Sequence, residues 1–335
     1  MKKFKHGGDI YTMAKRLQCK PEEIIDFSAN INTVVPTVAL PLSETLIEHY
    51  GDPHYKDLKK SIAQKYALKK SQITLFNGAS SAIFELFRVL SPKHTYLYVP
   101  LYGEYVKASE HFSKNTHTIN RLKKEMPLPK KGATVVFVNP STPDGRYYDL
   151  EDLFSLWKQK ECTIIIDESF LEFTNKPSLR AEIKAYKKLY IIHSFTKFYA
   201  CAGLRVGAIF THKNNSVQFL QPAWPLSSFD TAYLTRLLEV PHHQTQSLLK
   251  QQTHHKILHT ILKESGLFTK IYKSDANFIL AHSKHAKKIY KALYAQKILV
   301  RDCDNFQGLS KNYLRFAVKN RQDLQLLQKA LHALT

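Results

Sequence analysis

A lysine placed just past a buried strand, with hydroxyls before it and an arginine after it, is suited to one kind of chemistry. Ser194-Phe195-Thr196-Lys197 follows the apolar run Leu189-Tyr190-Ile191-Ile192 and precedes Arg205 in Gly203-Leu204-Arg205-Val206-Gly207. The apolar run reads as a buried strand. Lys197 can hold an aldehyde cofactor as a Schiff base, while Ser194, Thr196 and Arg205 hold that cofactor's phosphate. A solvated lysine is the competing reading, because the chain has 49 lysines and arginines.

Other strand ends add to the set. In open α/β sheets, ligands sit at the carboxyl ends of the strands. After Ile73–Phe76 comes Asn77-Gly78-Ala79-Ser80-Ser81, a small-residue turn into a helix whose free amides suit a phosphate. Pro100-Leu101-Tyr102 follows 96–99 and offers an aromatic ring that can stack on a planar ligand. Asn139-Pro140-Ser141-Thr142-Pro143-Asp144-Gly145 follows 134–138, and Asp167-Glu168-Ser169-Phe170 follows 163–166. Asp167 can pair with a protonated ring nitrogen. Anion cradle, ring stacker, carboxylate and lysine together describe a pyridoxal phosphate site.

The elements that must position these residues alternate. Helical spacing covers 55–67, 80–90 and 150–160, between short strands at 73–76, 96–99, 134–138, 163–166 and 189–192. This predicts an α/β fold with a mainly parallel sheet flanked by helices on both faces. Past about residue 212 the pattern changes. A long helical region is predicted over 231–265, then strands at 276–281 and 313–318 and helices at 286–296 and 321–333. The expected division is a large domain over 35–212 and a smaller α+β domain built from 213–335 with the N-terminal arm, 1–34. Neither G-x-G-x-x-G nor a P-loop motif occurs.

Composition bounds the rest. The 335 residues are 44% hydrophobic and 23% charged, an ordinary globular balance. Met1-Lys2-Lys3-Phe4-Lys5 begins like a signal peptide but runs into His6-Gly7-Gly8-Asp9 without an apolar stretch, so no export is expected. Cys19, Cys162, Cys201 and Cys303 are widely spaced and fit a reduced, cytoplasmic protein. The doublets His242-His243 and His254-His255 read as a solvated helix surface rather than a metal site. The net charge of +21 is spread in lysine pairs through the chain, which favours neither nucleic acid nor membrane as a partner.

With these motifs assembled, the chain resembles fold-type I pyridoxal-phosphate enzymes over nearly its whole length. The branch it resembles contains histidinol-phosphate aminotransferases and the threonine-phosphate decarboxylases of cobalamin synthesis. His6–Ile10, Asp26–Asn32, Asp167–Phe173, Pro222-Ala223-Trp224, Arg301–Phe306 and Gly308-Leu309 look more like the decarboxylases.

The resemblance implies that Lys197 carries the cofactor, Asp167 meets the pyridine nitrogen and Tyr102 stacks on the ring. It assigns Ala79, Ser80, Ser194, Thr196 and Arg205 to the phosphate. Tyr50 would reach the cofactor of a neighbouring subunit, so the resemblance implies a homodimer with a shared site. Arg315 would hold a substrate carboxylate and Arg301 a substrate phosphate, with His6 and Asn32 also on the substrate side.

Three departures stand out. Thr142 replaces the family's asparagine, so either Thr142 or Asn139 serves the cofactor's 3′-oxygen. Phe170 replaces a tyrosine common in the aminotransferases, and Tyr50-Gly51-Asp52 replaces Tyr-Pro-Asp. The implied function is decarboxylation of threonine phosphate or serine phosphate. The alternatives are a histidinol-phosphate-type aminotransferase using glutamate and 2-oxoglutarate, and a catalytically silent binding protein.

Overall fold

The computed structural model describes residues 6–38, 45–216 and 218–334. The lysine-rich start at Met1–Lys5 lies outside them. The dominant sheet has seven strands: β1 (Ile73–Asn77), β2 (His94–Val99), β3 (Asn115–Asn120), β4 (Thr134–Val138), β5 (Thr163–Asp167), β6 (Leu189–Ser194) and β7 (Val206–Thr211). Their spatial order is β1-β7-β6-β5-β4-β2-β3. The run β6-β5-β4-β2-β3 is parallel, and β7 is antiparallel to both neighbours.

Successive strand residues face opposite sides, and the two sides build separate cores. Leu97, Val99, Val136, Val138, Ile165 and Ile192 pack under the helices Gly78–Leu90 and Gly103–Phe112. Val135, Phe137, Ile164, Ile166, Ile191 and Phe210 pack on the other face with Lys56–Tyr66, Glu151–Gln159 and Ser228–Glu239. Continuous apolar runs such as Ile164-Ile165-Ile166 are therefore buried on both sides, as a covered parallel sheet requires.

A four-stranded sheet forms from 270–271, 278–282, 301–302 and 313–317, covered by Ala286–Ala295 and Arg321–His332. The N-terminal arm joins this layer: Ile25–Asp26 pairs in parallel with Ile298–Leu299, and Phe27 accepts from the Ala317 amide. Among the described residues, no helix is long and apolar enough to cross a membrane.

Several expectations change. β3 is Asn-Thr-His-Thr-Ile-Asn, an edge strand too polar to announce itself, and β7 begins within the Gly203–Gly207 segment of the lysine motif. The helical region expected over 231–265 consists of two helices, Ser228–Glu239 and His243–Glu264, broken at Val240-Pro241-His242. Proline cannot donate the helical hydrogen bond, and the residue before it is pushed out of the helical region. Of the histidine doublets, His243, His254 and His255 sit on a helix and His242 just before it, and His243 is buried rather than solvated and stacks on Tyr199.

Candidate active site

The ends of β1, β4, β5 and β6, the arm and the smaller sheet converge on one cavity of about 210 Å³. Its lining includes His6, Ala79, Ser80, Tyr102, Thr142, Asp167, Ser194, Thr196, Lys197, Arg205, Arg301 and Arg315. Residues more than 300 positions apart in sequence thus share one space.

The anion cradle depends on two glycines. Gly78 has φ +78°, and a Cβ there would lie 2.6 Å from Arg205 Nη2. Gly207 of β7 faces the Ala79 backbone so closely that any Cβ would collide with it. Side chains at these positions would push the arginine and the helix start apart. The helix Gly78–Leu90 begins at Asn77 with no side-chain cap, so its first amides remain available to an anion. Ser80 Oγ and Tyr102 Oη lie 3.2 Å apart, as do Ser194 Oγ and Thr196 Oγ1 at 2.9 Å.

Asp167 is buried at the end of β5. Its carboxylate accepts from the Ser169 amide at 2.9 Å and the Tyr105 hydroxyl at 2.8 Å. Burial raises its carboxyl above the usual value, and those donors oppose the shift. Lys197 is pushed down to about 8, first by burial and then by the Arg205 and Arg315 charges, with Asp167 pulling the other way.

Arg315 and Arg301 are direct cross-strand partners in the smaller sheet, and each is only 7% exposed. Arg315 donates to the Thr142 hydroxyl and the Ser28 carbonyl, both at 2.9 Å. The Asn30 amide oxygen, oriented toward the guanidinium, accepts at 3.1 and 3.3 Å. These acceptors are neutral, and no carboxylate forms an ion pair with Arg315 among the described residues. Burial, with the Arg301 charge adding to it, pushes Arg315 down to about 10, so it stays a cation at neutral pH. Arg301 donates to Asn305 Oδ1 at 2.7 Å. His6 stands 2.9 Å from Glu104, beside the Tyr102 ring; burial pushes its imidazole pKa down and Glu104 opposes this.

Three of the residues singled out in the sequence do not line the cavity. Asn139 spends its side chain on the backbone of Tyr148, accepting from its amide and donating to its carbonyl. Thr142 is therefore the one of the pair that faces the cavity. Asn32 donates to the Phe198 carbonyl and Ser247 Oγ, and its backbone amide bonds the Lys197 carbonyl, so it braces the lysine loop from behind. Tyr50 is 83% exposed and stacks on Trp224 with ring centroids 4.5 Å apart.

Sequence reasoning missed Ser28, Asn30, Ser169, Asn305 and Tyr105. The first four sit in segments quoted for their resemblance, but no periodicity points to them. Tyr105 was hidden among 18 tyrosines.

The donor set fits pyridoxal phosphate. It offers uncapped helix amides, two hydroxyls and an arginine for the phosphate, a buried carboxylate for the ring nitrogen, and an amine with a lowered pKa for the aldehyde. Among the described residues no cluster suits a metal ion.

Comparison with known proteins agrees. Residues 22–334 match the family described as aminotransferase class I and II. The chain is 30% identical to the adenosylcobalamin biosynthesis bifunctional protein CobDQ of Leptospira interrogans, over 95% of this chain but only 39% of that protein's length. It is 24% identical to the threonine-phosphate decarboxylase of Salmonella typhimurium, over 97% of this chain and 95% of the relative. The crystal structure of the histidinol-phosphate aminotransferase from Clostridium acetobutylicum superposes with a TM-score of 0.84 at 30% identity, covering 93% of this chain and 99% of that one. The chain belongs to the class I and II aminotransferase family and is a pyridoxal-phosphate-dependent enzyme.

Proposed function

We propose that this enzyme decarboxylates a small phosphorylated amino acid, threonine phosphate or serine phosphate. The observation that carries this reading is the Arg301–Arg315 pair: two buried guanidinium groups directly opposite each other on neighbouring strands, facing one cavity. Like charges in that register repel, and the acceptors that the Arg315 fork meets are neutral. A substrate bearing both a carboxylate and a phosphate relieves that repulsion, because each planar fork can grip one oxyanion bidentately.

When bound, pyridoxal phosphate supplies the electron sink for the bond broken at the substrate Cα. The chain's own residues do the rest. Arg315 orients the carboxylate, and Arg301 with His6 faces the phosphate. Lys197, neutral or charged near physiological pH, moves a proton at Cα. Val138, Phe170 and Phe306 add apolar surface to the cavity wall.

The test is incubation with threonine phosphate, serine phosphate, and histidinol phosphate plus 2-oxoglutarate, assaying carbon dioxide and glutamate separately. Carbon dioxide from the phospho-amino acids is the expected product. Steady glutamate from histidinol phosphate, with no carbon dioxide from the others, would make this an aminotransferase like its Clostridium relative.

The same reading includes a homodimer that shares its sites. Its support is Tyr50, exposed and held against Trp224 instead of lining the cavity of its own chain. Tyr50→Phe is expected to weaken cofactor retention by ~1–3 kcal/mol, the worth of a hydrogen bond to a charged group. An active monomer in sedimentation would defeat the idea.

A further inference from the structure

We propose that Tyr105 is a positioning residue for the cofactor: its phenol aims Asp167 at the ring nitrogen and keeps it a carboxylate. Asp167 is enclosed at the end of β5 and forms no ion pair among the described residues. A buried carboxylate that forms no ion pair leans on hydrogen-bond donors to stay ionised.

Two residues reach it. Ser169 contributes its backbone amide to Oδ1 and a side-chain hydrogen bond besides, and Tyr105 its hydroxyl to Oδ2. The Ser169 amide belongs to the main chain and survives any side-chain change except proline. Tyr105 is the side-chain donor to Oδ2. Its phenol is wholly buried, and burial together with the Asp167 charge pushes its pKa well above the usual value, so it remains a donor throughout the working range. His193 and Lys197 are the titratable groups coupled to Asp167 from the neighbouring strand and loop, and both favour its ionised form.

The placement has a further logic. Tyr105 lies one turn after Tyr102, at the start of the helix Gly103–Phe112, and its amide bonds the Tyr102 carbonyl at 3.1 Å. Tyr102 lines the cavity, whereas Tyr105 points beneath it to the aspartate. One helix turn therefore sets both the surface on which a ring can stack and the plane of the carboxylate that meets the ring's edge. The Ser169 amide on one oxygen and the Tyr105 hydroxyl on the other fix that plane.

The experiment uses holoenzyme loaded with pyridoxal phosphate carrying 15N in the ring. In Tyr105→Phe, which keeps the shape and removes only the hydroxyl, the ring-nitrogen resonance should move toward the unprotonated value. Cofactor dissociation should strengthen about tenfold, as expected for a lost bond to a charged group. Turnover should fall mainly through kcat. Asp167→Asn marks the limit of the spectral shift. Fluorotyrosine at position 105, a more acidic donor in the same frame, should move the resonance the opposite way. That measurement also serves if the phenylalanine variant folds poorly. A lowered melting temperature with an unmoved nitrogen resonance in both variants would make Tyr105 a packing residue and overturn the proposal. The outcome does not depend on which bond at Cα is broken, so it stands or falls separately from the decarboxylase reading.

Discussion

Lys197→Ala is expected to yield a protein that no longer takes on a yellow, borohydride-reducible absorbance band, with turnover reduced by roughly 10⁴-fold, the upper range for a positioned proton-transfer group. The size follows from the absence of a substitute: among the described residues, Lys197 is the one lysine that lines the cavity. Its lowered pKa, about 8, sets a second expectation. An ordinary lysine near 10.5 is almost wholly protonated at neutral pH and cannot attack an aldehyde. Capture of pyridoxal phosphate by the apoprotein should therefore accelerate as pH rises through about 8 and level off above it.

The sign for stability agrees. Between about 8 and 10.5 the unfolded chain keeps a proton on this amine that the folded chain has released. The apoprotein should thus gain stability with rising pH across that window, and Lys197→Ala should lack this contribution. A variant that still shows a reducible band would mean that another lysine carries the cofactor.

Arg315→Ala is expected to lower kcat/KM for a carboxylate-bearing substrate by about 2–5 kcal/mol, which is roughly 30-fold to several thousand-fold. The cause is the burial of the site: the substrate's carboxylate would enter an enclosed space with no cation to meet it. Arg315→Lys should recover little, since an ammonium cannot keep the fork that bonds Thr142, Ser28 and Asn30 while receiving an oxyanion. The measurement is steady-state kinetics with threonine phosphate beside a phospho-amine lacking the carboxylate. A loss equal for both substrates would show that Arg315 supports the fold of the site rather than the carboxylate.

Local pattern carried much of this protein. The runs 135–138, 164–166 and Leu189–Ile192 are apolar throughout, because both faces of a parallel sheet are covered, and chain physics then places whatever follows them at the ligand-binding edge. Lys197, Asp167, Tyr102 and the Asn77–Ser80 turn were legible for that reason. Helices with a clean apolar stripe, such as Arg321–His332, were legible too. The edge strand Asn115–Asn120 was not, since one polar row facing solvent removes the signal that burial would leave.

What lay beyond the sequence is long-range pairing between polar groups. Nothing local says that Arg301 and Arg315 stand opposite each other, that Ser28 and Thr142 take up the Arg315 fork, or that Tyr105 rather than another tyrosine reaches Asp167. Nor could spacing show that Asn139 and Asn32 are consumed by partners outside the cavity while Thr142 faces it. Apolar burial repeats with the period of the element and so leaves a pattern in the chain. A hydrogen bond joins two particular atoms once, and only the folded register decides which two.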